Sequence, residues 1–343
     1  MSFKFLENKT VLVTGGTGSI GSSLVFKLIK LNCKVVRVLS NDENGLYELS
    51  RKISQSFSIN YNLFNITMKK NRIRFFLGDV RDYKRCLEAT KGTDIVIHAA
   101  AIKHVNIAEF NKNEAYGINY IGTKNMISAS AKNNVSKFLY ISTDKVVSPK
   151  NIMGKSKMLA EKFSVKKNNL KRNIKVSAVR FGNVVGSRGS VIPHFINLLK
   201  LGKNITVTDE KMTRFVMSIS ESVNLILNSI KYMKGNEIFI LKSMKCFRIK
   251  DLAESLLSYF KTKNKSKSKI IISSQNKNEK FQEELFTVKE IPYIKMLHRM
   301  LVITNKKNNF NDLSKFKKFR ISNFNFMKQN EMIKLLKELK ILK

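Results

Sequence analysis

The sequence has little of what builds disulfide frameworks, cysteine metal sites or membrane spans. Its three cysteines (Cys33, Cys86 and Cys246) are odd in number, lie far apart and form no Cys-x-x-Cys pair. We therefore expect no metal and a reducing compartment. No stretch approaches the roughly 20 apolar residues of a membrane span, and no long apolar signal segment precedes the first predicted strand. These absences predict a cytoplasmic protein without a membrane partner.

Acidic residues are also scarce. The chain has 25 Asp and Glu against 64 Lys and Arg, a formal charge of +39. Such a charge suggests a nucleic-acid or anionic-membrane partner, but the lysines are scattered among asparagines and isoleucines. No basic stripe with interleaved aromatic residues is present, so we predict no nucleic-acid partner. The positive field would instead attract an acidic small substrate.

Short apolar runs alternate with amphipathic stretches in the first half of the chain. Most of the runs are apolar throughout, as expected for strands that helices cover on both faces. This alternation predicts an α/β fold, a Rossmann-type doubly wound parallel sheet. The strand candidates are TVLVTG, KVVRVLS, IRFFLGD, DIVIHAA, KFLYIS and VSAVRFG.

The rhythm loosens after Gly182, where a second region begins. We predict a dinucleotide-binding domain over 1–182, to which 212–242 returns, and a smaller interleaved substrate-binding lobe formed by 183–211 and 243–343. In the lobe, FRIKDLAESLLSYF is predicted as a helix among lysine-rich and asparagine-rich loops.

A glycine-rich turn joins the first strand to the first helix. Glycines there permit a tight turn and let the backbone approach a pyrophosphate, while the helix N-terminus favours phosphate charge. The position near the start of a series of strand and helix units favours dinucleotide binding over a merely structural turn. The predicted cofactor contacts are Gly15, Thr17, Gly18, Ser19, Ile20 and Gly21.

The ends of the next three strands complete the predicted cofactor site. Ser40 and Asp42 follow the second strand, where an acidic side chain binds a ribose hydroxyl; an ordinary acidic loop is the alternative. No Arg or Lys lies beside Asp42 to pair with a 2′-phosphate, which favours NAD over NADP. Asp79 and Val80 are placed to meet the adenine. The small residues Ala99, Ala100 and Ala101 let the chain pass close to the cofactor, although they also suit packing alone.

The fifth predicted strand ends in the polar residues Thr143, Asp144 and Lys145. Carboxyl ends of parallel strands are where α/β sheets bind ligands. Further on, Met153 and Lys157 share one face of a predicted helix. A hydroxyl, a carboxylate and two ammonium groups are thus predicted to converge near the nicotinamide. The alternative is a capped loop with solvated charges.

Several motifs resemble one family in number and order. They are TGGTGSIG, GDVRD, HAAAIKHV, STDKVVSPKNIMGKSKMLAEK, RFGNVVGSRGSVIPHF and MTRFVMSI. Together they resemble extended short-chain dehydrogenase/reductases that act as UDP-N-acetylhexosamine 4,6-dehydratases in surface-polysaccharide synthesis. The last hundred residues match loosely through NEKFQEELFTVKE, where Asn278 replaces the family's usual glycine. The resemblance implies NAD, a UDP-sugar substrate and a homo-oligomer.

One departure from the superfamily bears on mechanism. The superfamily uses a Tyr-x-x-x-Lys pair, but this chain has Met153 in the tyrosine position and keeps Lys157. A thioether cannot accept a proton at neutral pH, so Met153 cannot start hydride transfer as a base. A subset of the dehydratases, and some related 4-epimerases, resemble this Met pattern.

The resemblance implies a redox-neutral reaction in four steps. Hydride leaves sugar carbon 4, Lys145 with a lowered pKa removes the carbon 5 proton, protonated Asp144 gives a proton to the departing 6-hydroxyl, and hydride returns to carbon 6. Thr143 binds the 4-oxygen, and Lys157 positions the nicotinamide ribose. The acceptor of the 4-hydroxyl proton stays open between Asp144 and Lys145.

The same resemblance implies a set of substrate contacts. Arginine is the natural fork for a diphosphate, although each arginine also suits a surface ion pair. His104 is given no catalytic role, and Glu279 and Lys280 are weaker candidates. The predicted substrate residues are Lys103, Asn183, Arg188, Ser190 and Arg214.

Three functions remain after these assignments: a 4,6-dehydratase, a UDP-sugar 4-epimerase, and a non-catalytic protein that binds NAD or a nucleotide sugar. The GLYEL end of NDENGLYELSR resembles the dehydratases, which favours elimination over epimerisation.

Overall fold

A computed structural model describes residues 3–57, 72–166, 174–264, 267–273, 279–307 and 326–342. Asn278, the departure from the family pattern, lies outside them. The chain forms two compact units. The first comprises Met1–Ser142, Ile152–Val179 and Val223–Phe239, and the second comprises Thr143–Asn151, Arg180–Ser222 and Ile240–Lys343. Relative to the predicted division, the second unit also includes Thr143–Asn151 and residues 180–182, 212–222 and 240–242.

A parallel sheet forms the core of the first unit. Seven strands lie in the order β3-β2-β1-β4-β5-β6-β10, and the pairs among β1 to β5 are parallel. All six strands predicted in the first half form, and the predicted doubly wound α/β fold is confirmed. The strands are β1 Thr10–Thr14, β2 Val35–Ser40, β3 Ile73–Leu77, β4 Ile95–His98, β5 Lys137–Thr143, β6 Lys175–Phe181 and β10 Ile238–Leu241.

Amphipathic helices connect these strands. In the first helix the buried residues Gly21, Leu24, Val25 and Leu28 follow the i, i+3, i+4, i+7 pattern of a helix with one buried face. A π-helical turn, Gly117–Ile121, precedes the sixth helix. The helices of the first unit are α1 Ser19–Lys30, α2 Glu43–Phe57, α3 Tyr83–Thr90, α4 Val105–Phe110, α5 Lys112–Tyr116, α6 Gly122–Lys132, α7 Ile152–Ser164 and, mostly within it, α9 Ile219–Tyr232.

The strand order reverses between β1 and β4. From β1 the chain builds outward through β2 and β3, whereas β4, β5 and β6 extend on the other side. Open α/β sheets bind ligands in the crevice beyond the carboxyl ends of strands at such a reversal. The predicted glycine turn follows β1, and the alanine triplet follows β4. The fold therefore places both predicted cofactor segments at the reversal.

The described residues of the second unit form two small sheets, three α-helices and two strands of a larger sheet. Strand β11 pairs antiparallel with β9, which pairs parallel with β7, and β12 pairs parallel with β8. Strands β13 and β14 pair antiparallel and belong to the same sheet as β10. The elements are β7 Asn183–Val184, α8 Val191–Lys200, β8 Ile205–Val207, β9 Thr213–Met217, β11 Lys245–Arg248, α10 Ile249–Asn264, β12 Ile270–Ile272, β13 Ile294–Leu297, β14 Met300–Ile303 and α11 Gln329–Glu338.

One predicted helix boundary is wrong. The segment FRIKDLAESLLSYF was predicted as helical from Phe247, but Lys245–Arg248 is a strand and the helix begins at Ile249. Phe247 pairs with Arg214 of β9. Cross-strand pairing thus overrides the local helical periodicity.

The residues that the structure describes contain no helix long and apolar enough to cross a bilayer. Within the same residues, no group of three or more His, Cys, Asp or Glu side chains is placed to hold a metal ion. All three cysteines are buried and free.

Candidate active site

The glycine turn is shaped for close backbone approach. Gly15 has φ +62°, and a Cβ added there would lie 2.7 Å from the Ala100 nitrogen. A Cβ on Gly21 would collide with the carbonyl oxygen of Gly15. Gly18 is the N-cap of α1 and has no side chain that could bond its first-turn amides at Ser19 and Ile20. A helix start without a side-chain cap suits an anion such as a pyrophosphate.

The second strand ends in a network of hydroxyl and carboxylate bonds. Thr17 Oγ1 and Ser40 Oγ lie 3.0 Å apart. The Asp42 amide donates to Ser40 Oγ at 3.2 Å, and Asp42 Oδ1 accepts from the Gly45 amide at 2.8 Å. Asp42 is exposed and bonds the first turn of α2. Its predicted bond to a ribose hydroxyl stays a prediction.

The third strand is followed by a carboxylate that already has a cationic partner. Arg81 donates to Asp79 from Nε at 3.1 Å and from its terminal nitrogen at 2.8 Å. These bonds hold the pKa of Asp79 below its ordinary value, against the effect of burial. Val80 is buried. The predicted adenine contacts of Asp79 and Val80 stay predictions. Arg81, which bonds Asp79, was not among the predicted site residues.

Asn119 ties the segment after β4 to α7. Its Oδ1 accepts from the Ile102 amide at 2.8 Å, while its Nδ2 donates to the Ile102 carbonyl at 3.1 Å and to Ser156 Oγ at 2.9 Å. Asn119 is buried in the π-helical turn, a distortion frequent at functional sites. Sequence reasoning missed this residue. The available signal was one asparagine in the apolar helical stretch INYIG.

The alanine triplet follows β4 and lies beside the glycine turn. The Ala99 amide donates to the Thr14 carbonyl at 3.2 Å, and the Ala100 amide donates to Thr14 Oγ1 at 3.2 Å. Ala101 follows, half-buried. Lys103 is exposed, and His104 is the N-cap residue of α4, without a side-chain hydrogen bond to the first turn. Partial burial and the Lys103 charge lower the pKa of His104.

Helix α7 carries Met153 and Lys157, both buried. Met153 packs with Ala108 and Ala115 in an apolar cluster, so no proton carrier occupies the tyrosine position. Lys157 Nζ donates to the Ile141 carbonyl at 2.9 Å. Burial lowers the pKa of Lys157 to about 8, with the charge of Glu161 opposing the shift.

The predicted catalytic trio forms one bonded cluster within the second unit. Thr143 Oγ1 donates to Asp144 Oδ1 at 2.9 Å, and Lys145 Nζ donates to the same oxygen at 3.1 Å. Lys145 Nζ also donates to Asn183 Oδ1 at 3.4 Å. Asn183, predicted to bind substrate, is held in turn because its Nδ2 donates to the Phe215 carbonyl at 3.1 Å. The structure thus brings four of the predicted site residues together.

Glu283 joins this cluster and was not predicted. Its Oε1 lies 3.6 Å from Lys145 Nζ, and its Oε2 lies 3.7 Å from Lys280 Nζ. The residue is only 3% exposed. Its position in a loop far along the chain from Lys145 left no local pattern to reveal it, apart from lying in the EKFQEEL segment that resembles the family.

The two carboxyl groups of the cluster have pKa values that shift in opposite directions. Burial, together with the charge of Glu283, raises the pKa of Asp144 against the influence of Lys145. Burial would also raise the pKa of Glu283, but Lys145, Arg214 and Lys280 outweigh it and lower that pKa. Burial therefore favours the protonated form of Asp144, whereas the neighbouring cations favour the ionised form of Glu283, and the two carboxyl groups suit different roles.

The predicted lowering of the Lys145 pKa is wrong. Burial does favour the neutral amine, but Asp144 and Glu283 together outweigh burial and raise the pKa of Lys145. The expectation considered neighbouring cations and desolvation, whereas the structure supplies two carboxyl neighbours. Lys145 is therefore an ammonium in the resting cluster.

The remaining predicted substrate residues lie in two places of the second unit. Ser190 is the N-cap of α8, with a buried hydroxyl that finds no hydrogen-bond partner among the described residues. Arg188, two residues earlier, is exposed. Arg214 is buried, donates to the Lys280 carbonyl at 3.0 Å and lies 3.7 Å from Glu279 Oε2. Arg214 thus holds a loop, and its substrate contact stays a prediction.

The parallel sheet, the glycine turn and the acid and lysine cluster define an enzyme of the nucleotide-sugar epimerase and dehydratase type, within the extended short-chain dehydrogenase/reductases. The chain belongs to the polysaccharide biosynthesis protein family, whose profile matches residues 11–305.

Relatives of the chain carry different descriptions. The chain is 41% identical, over 98% of both chains, to a protein of Methanocaldococcus jannaschii described as an uncharacterized membrane protein. It is 39% identical to a UDP-glucose 4-epimerase of Rickettsia canadensis, over 75% of this chain and 73% of that one.

Solved structures share the fold. Pen from Bacillus thuringiensis superposes with a TM-score of 0.86 at 33% identity, over 99% of this chain and 100% of that one. DesIV, a dTDP-glucose 4,6-dehydratase of Streptomyces venezuelae solved with NAD and TYD bound, has a TM-score of 0.68 at 18% identity, over 90% of this chain and 97% of that one. The DesIV likeness concerns the fold alone.

Proposed function

We propose that the protein is an NAD-dependent 4,6-dehydratase that converts UDP-N-acetylglucosamine, or a related UDP-N-acetylhexosamine, to a 4-keto-6-deoxy sugar for surface-polysaccharide synthesis. Bound NAD would take hydride from sugar carbon 4 and return it to carbon 6. The homo-oligomer and the cytoplasmic location stay predictions beside this function.

The observation that carries the proposal is the Asp144 and Lys145 pair. Elimination across carbons 5 and 6 needs an acid for the departing hydroxyl and a base for the carbon 5 proton. Asp144 is fully buried, with a raised pKa that suits a proton donor. Its Oδ2 has no hydrogen-bond partner among the described residues. A buried oxygen in that state requires an explanation, and a substrate hydroxyl supplies one.

Lys145 serves as the base by relay rather than as a resting neutral amine. Its Nζ lies 3.1 Å from Asp144 Oδ1. As Asp144 gives its proton to the 6-hydroxyl, Lys145 passes a proton to the Asp144 carboxylate and takes the proton from carbon 5. Water leaves, and both groups end in the protonation state in which they began. Thr143 would bond the 4-oxygen.

The first unit fits a dinucleotide. The positive φ of Gly15 and its approach to Ala100 bring backbone to the place of a pyrophosphate, where a side chain would collide. Thr17, Gly18, Ser19, Ile20 and Gly21 would bind the phosphates. Ser40 and Asp42 would bind the adenosine ribose. Lys157 would bond the nicotinamide ribose. The acidic side chain of Asp42 favours NAD over NADP.

The start of α8 fits a sugar diphosphate. The unbonded Ser190 hydroxyl, the amides of the first helical turn and the nearby Arg188 all suit an anion. We assign the diphosphate to these groups and Asn183 to the sugar. Lys103 and Arg214 remain additional candidates.

A 4-epimerase is the alternative, favoured by one observation. The Rickettsia relatives named UDP-glucose 4-epimerase are 38% to 39% identical to this chain over 75% of its length. Epimerisation would use the same oxidation at carbon 4, followed by rotation of the keto sugar and reduction on the other face. The GLYEL segment and the raised pKa of Asp144 favour elimination.

Incubation of the purified protein with UDP-N-acetylglucosamine and NAD, followed by NMR of the sugar, tests the proposal. A 4-keto-6-deoxy product is expected. A galacto-configured product would replace the proposal by the epimerase, and an unchanged sugar with retained NAD binding would refute both.

A further inference from the structure

Two buried arginines fix a loop of the second unit against the catalytic cluster. Arg214 donates to the carbonyls of Lys280 at 3.0 Å and Phe281 at 3.4 Å. Arg180 donates to the Leu285 carbonyl at 3.1 Å and forms a two-point pair with Glu290, at 2.7 and 3.1 Å. We call residues 279–290 the arginine-held loop. Glu283 lies between its two anchors.

The loop is also tied at the cluster itself. Lys280 Nζ donates to the carbonyl of Val147, two residues after Lys145. The Glu283 carboxylate faces Lys145 and Lys280 directly, and Arg214 and Asp144 also act on it through their charges. The loop therefore delivers one carboxylate to a group of three cations and a second carboxyl group.

These neighbours do not supply hydrogen bonds to both carboxylate oxygens of Glu283. Its Oε2 has no hydrogen-bond partner among the described residues, although Lys280 lies at ion-pair distance. A buried carboxylate used only for stability is costly unless its lone pairs are satisfied. A carboxylate that must accept a proton in each cycle gains from an oxygen left available. Glu283 has the arrangement expected of a proton acceptor.

We infer that Glu283 receives, by way of Lys145, the proton that leaves the sugar 4-hydroxyl when carbon 4 is oxidised. The inference rests on the proposed function, but it holds for dehydratase and epimerase alike because both begin with this oxidation. Met153 leaves the tyrosine position without a base. Glu283 Oε1 lies 3.6 Å from Lys145 Nζ, and three cations lower the pKa of Glu283 whereas burial raises that of Asp144, so Glu283 is the more acidic carboxyl group of the cluster.

The proton transfers balance over the cycle. Lys145 passes one Nζ proton to Glu283 and takes the 4-hydroxyl proton in its place, which leaves an ammonium and a neutral acid. The hydride from carbon 4 goes to the nicotinamide cofactor of the proposed function. When Lys145 later reprotonates carbon 5, or the 4-oxygen in an epimerase, Glu283 returns its proton to Lys145. Glu283 is thus a positioning residue that acts through Lys145.

The test compares Glu283→Gln with the wild-type enzyme and with Glu284→Gln, a matched control because Glu284 is the exposed neighbour. At neutral pH we expect Glu283→Gln to lower kcat about 100-fold, with KM changed less than about threefold. Its kcat should then rise steeply with pH, because removal of one carboxylate lets Lys145 lose its proton sooner. The wild type and Glu284→Gln should stay nearly flat over the same range.

Three results would overturn the inference: wild-type kcat in Glu283→Gln at every pH, a loss that does not recover as pH rises, or a loss expressed mainly in KM. If Glu283→Gln does not fold by thermal melting, Glu283→Asp decides. This variant should fold and keep the flat profile at reduced kcat, and a steep profile in it would refute the inference. If the wild type itself converts no UDP-N-acetylglucosamine, the proposed function fails first.

Discussion

Each unit holds a lysine that is largely shielded from solvent, Lys157 buried and Lys145 half-buried, and their pKa values shift in opposite directions. Lys157 lies above the Tyr140 ring, its Nζ 5.0 Å from the ring centre, and burial lowers its pKa to about 8. Lys145 has two carboxyl neighbours that raise its pKa despite burial. The same side chain is therefore easily neutralised in one unit and held charged in the other. Carboxyl neighbours, rather than burial, decide the difference.

A similar contrast holds around the two lysines. In the first unit, Met153 packs in an apolar cluster at the tyrosine position. The backbone of the glycine turn lies close to that of the alanine triplet, with no bulky side chain between them. In the second unit, Asp144, Lys145 and Glu283 concentrate charge in one buried cluster. The first arrangement suits binding of a cofactor, and the second suits movement of protons. Substitutions in the two units should therefore fail in different ways.

Lys145→Ala should have the largest effect. We expect a loss of about 10⁴ in kcat, since the variant lacks the group that takes the carbon 5 proton, while NAD affinity stays within twofold. NMR turnover and calorimetric NAD titration measure the two quantities. Lys150→Ala, an exposed lysine of the same segment, should behave as the wild type. Full turnover by Lys145→Ala would remove the assigned base.

Asp144→Asn should separate oxidation at carbon 4 from the elimination of water. An amide cannot donate the proton that the 6-hydroxyl needs, so we expect product formation to fall about 10²- to 10³-fold. Oxidation at carbon 4 should persist, and absorbance of the reduced nicotinamide should rise on mixing with substrate. If neither the absorbance nor the product increases, Asp144 acts in the oxidation step instead.

Lys157→Met should show how the lowered pKa of Lys157 affects the free energy of unfolding at different pH values. The folded pKa of Lys157, about 8, lies below the roughly 10.4 of an unfolded lysine, so the unfolded chain binds the extra proton more readily. Stability of the wild type relative to the variant should rise by about 3 kcal/mol between pH 7 and pH 10.5.

Urea unfolding of both proteins at the two pH values measures this gain. Lys155→Met, on the exposed side of α7, is the control and should show no such gain. Lys145→Met should show no such gain between these pH values and the opposite sign above pH 10.5, because the raised pKa of Lys145 gives stability that is lost only as the pH rises through that pKa. A similar gain in unfolding free energy with pH for both lysines would contradict their opposite pKa shifts.

Gly15→Ala should show the smallest effect, confined to the binding unit. Gly15 and Gly202 both have positive φ, +62° and +65°, but a Cβ on Gly15 meets Ala100 whereas one on Gly202 meets nothing within 4 Å. We expect Gly15→Ala to cost about 2 kcal/mol of unfolding free energy beyond Gly202→Ala, and to weaken NAD binding. Equal costs in urea unfolding would show that the turn tolerates a side chain.

Much of the first unit could be predicted from sequence because its signals are local. Apolar runs bounded by helical stretches located six strands, and the glycine-rich segment was predicted as the turn between the first strand and the first helix. The trio from Thr143 to Lys145 was predicted because its members are adjacent in the chain. Their bonding to one another follows from that adjacency.

The features that could not be predicted depend on contacts between distant segments. Glu283 lies near Lys145 in a loop that Arg180 and Arg214 bond from distant parts of the chain. The raised pKa of Lys145 depends on the same encounter, so an expectation made without Glu283 gave the wrong direction. Likewise, Phe247 is strand rather than helix because of its partner in β9.

Solvent deuterium at sugar carbon 5 tests the central claim most directly. Wild-type protein incubated with UDP-N-acetylglucosamine and NAD in deuterated water should yield a 4-keto-6-deoxy sugar with deuterium at carbon 5, and Lys145→Ala should yield none. A product that keeps its original hydrogen at carbon 5, or deuterium incorporation by Lys145→Ala equal to that of the wild type, would contradict the account.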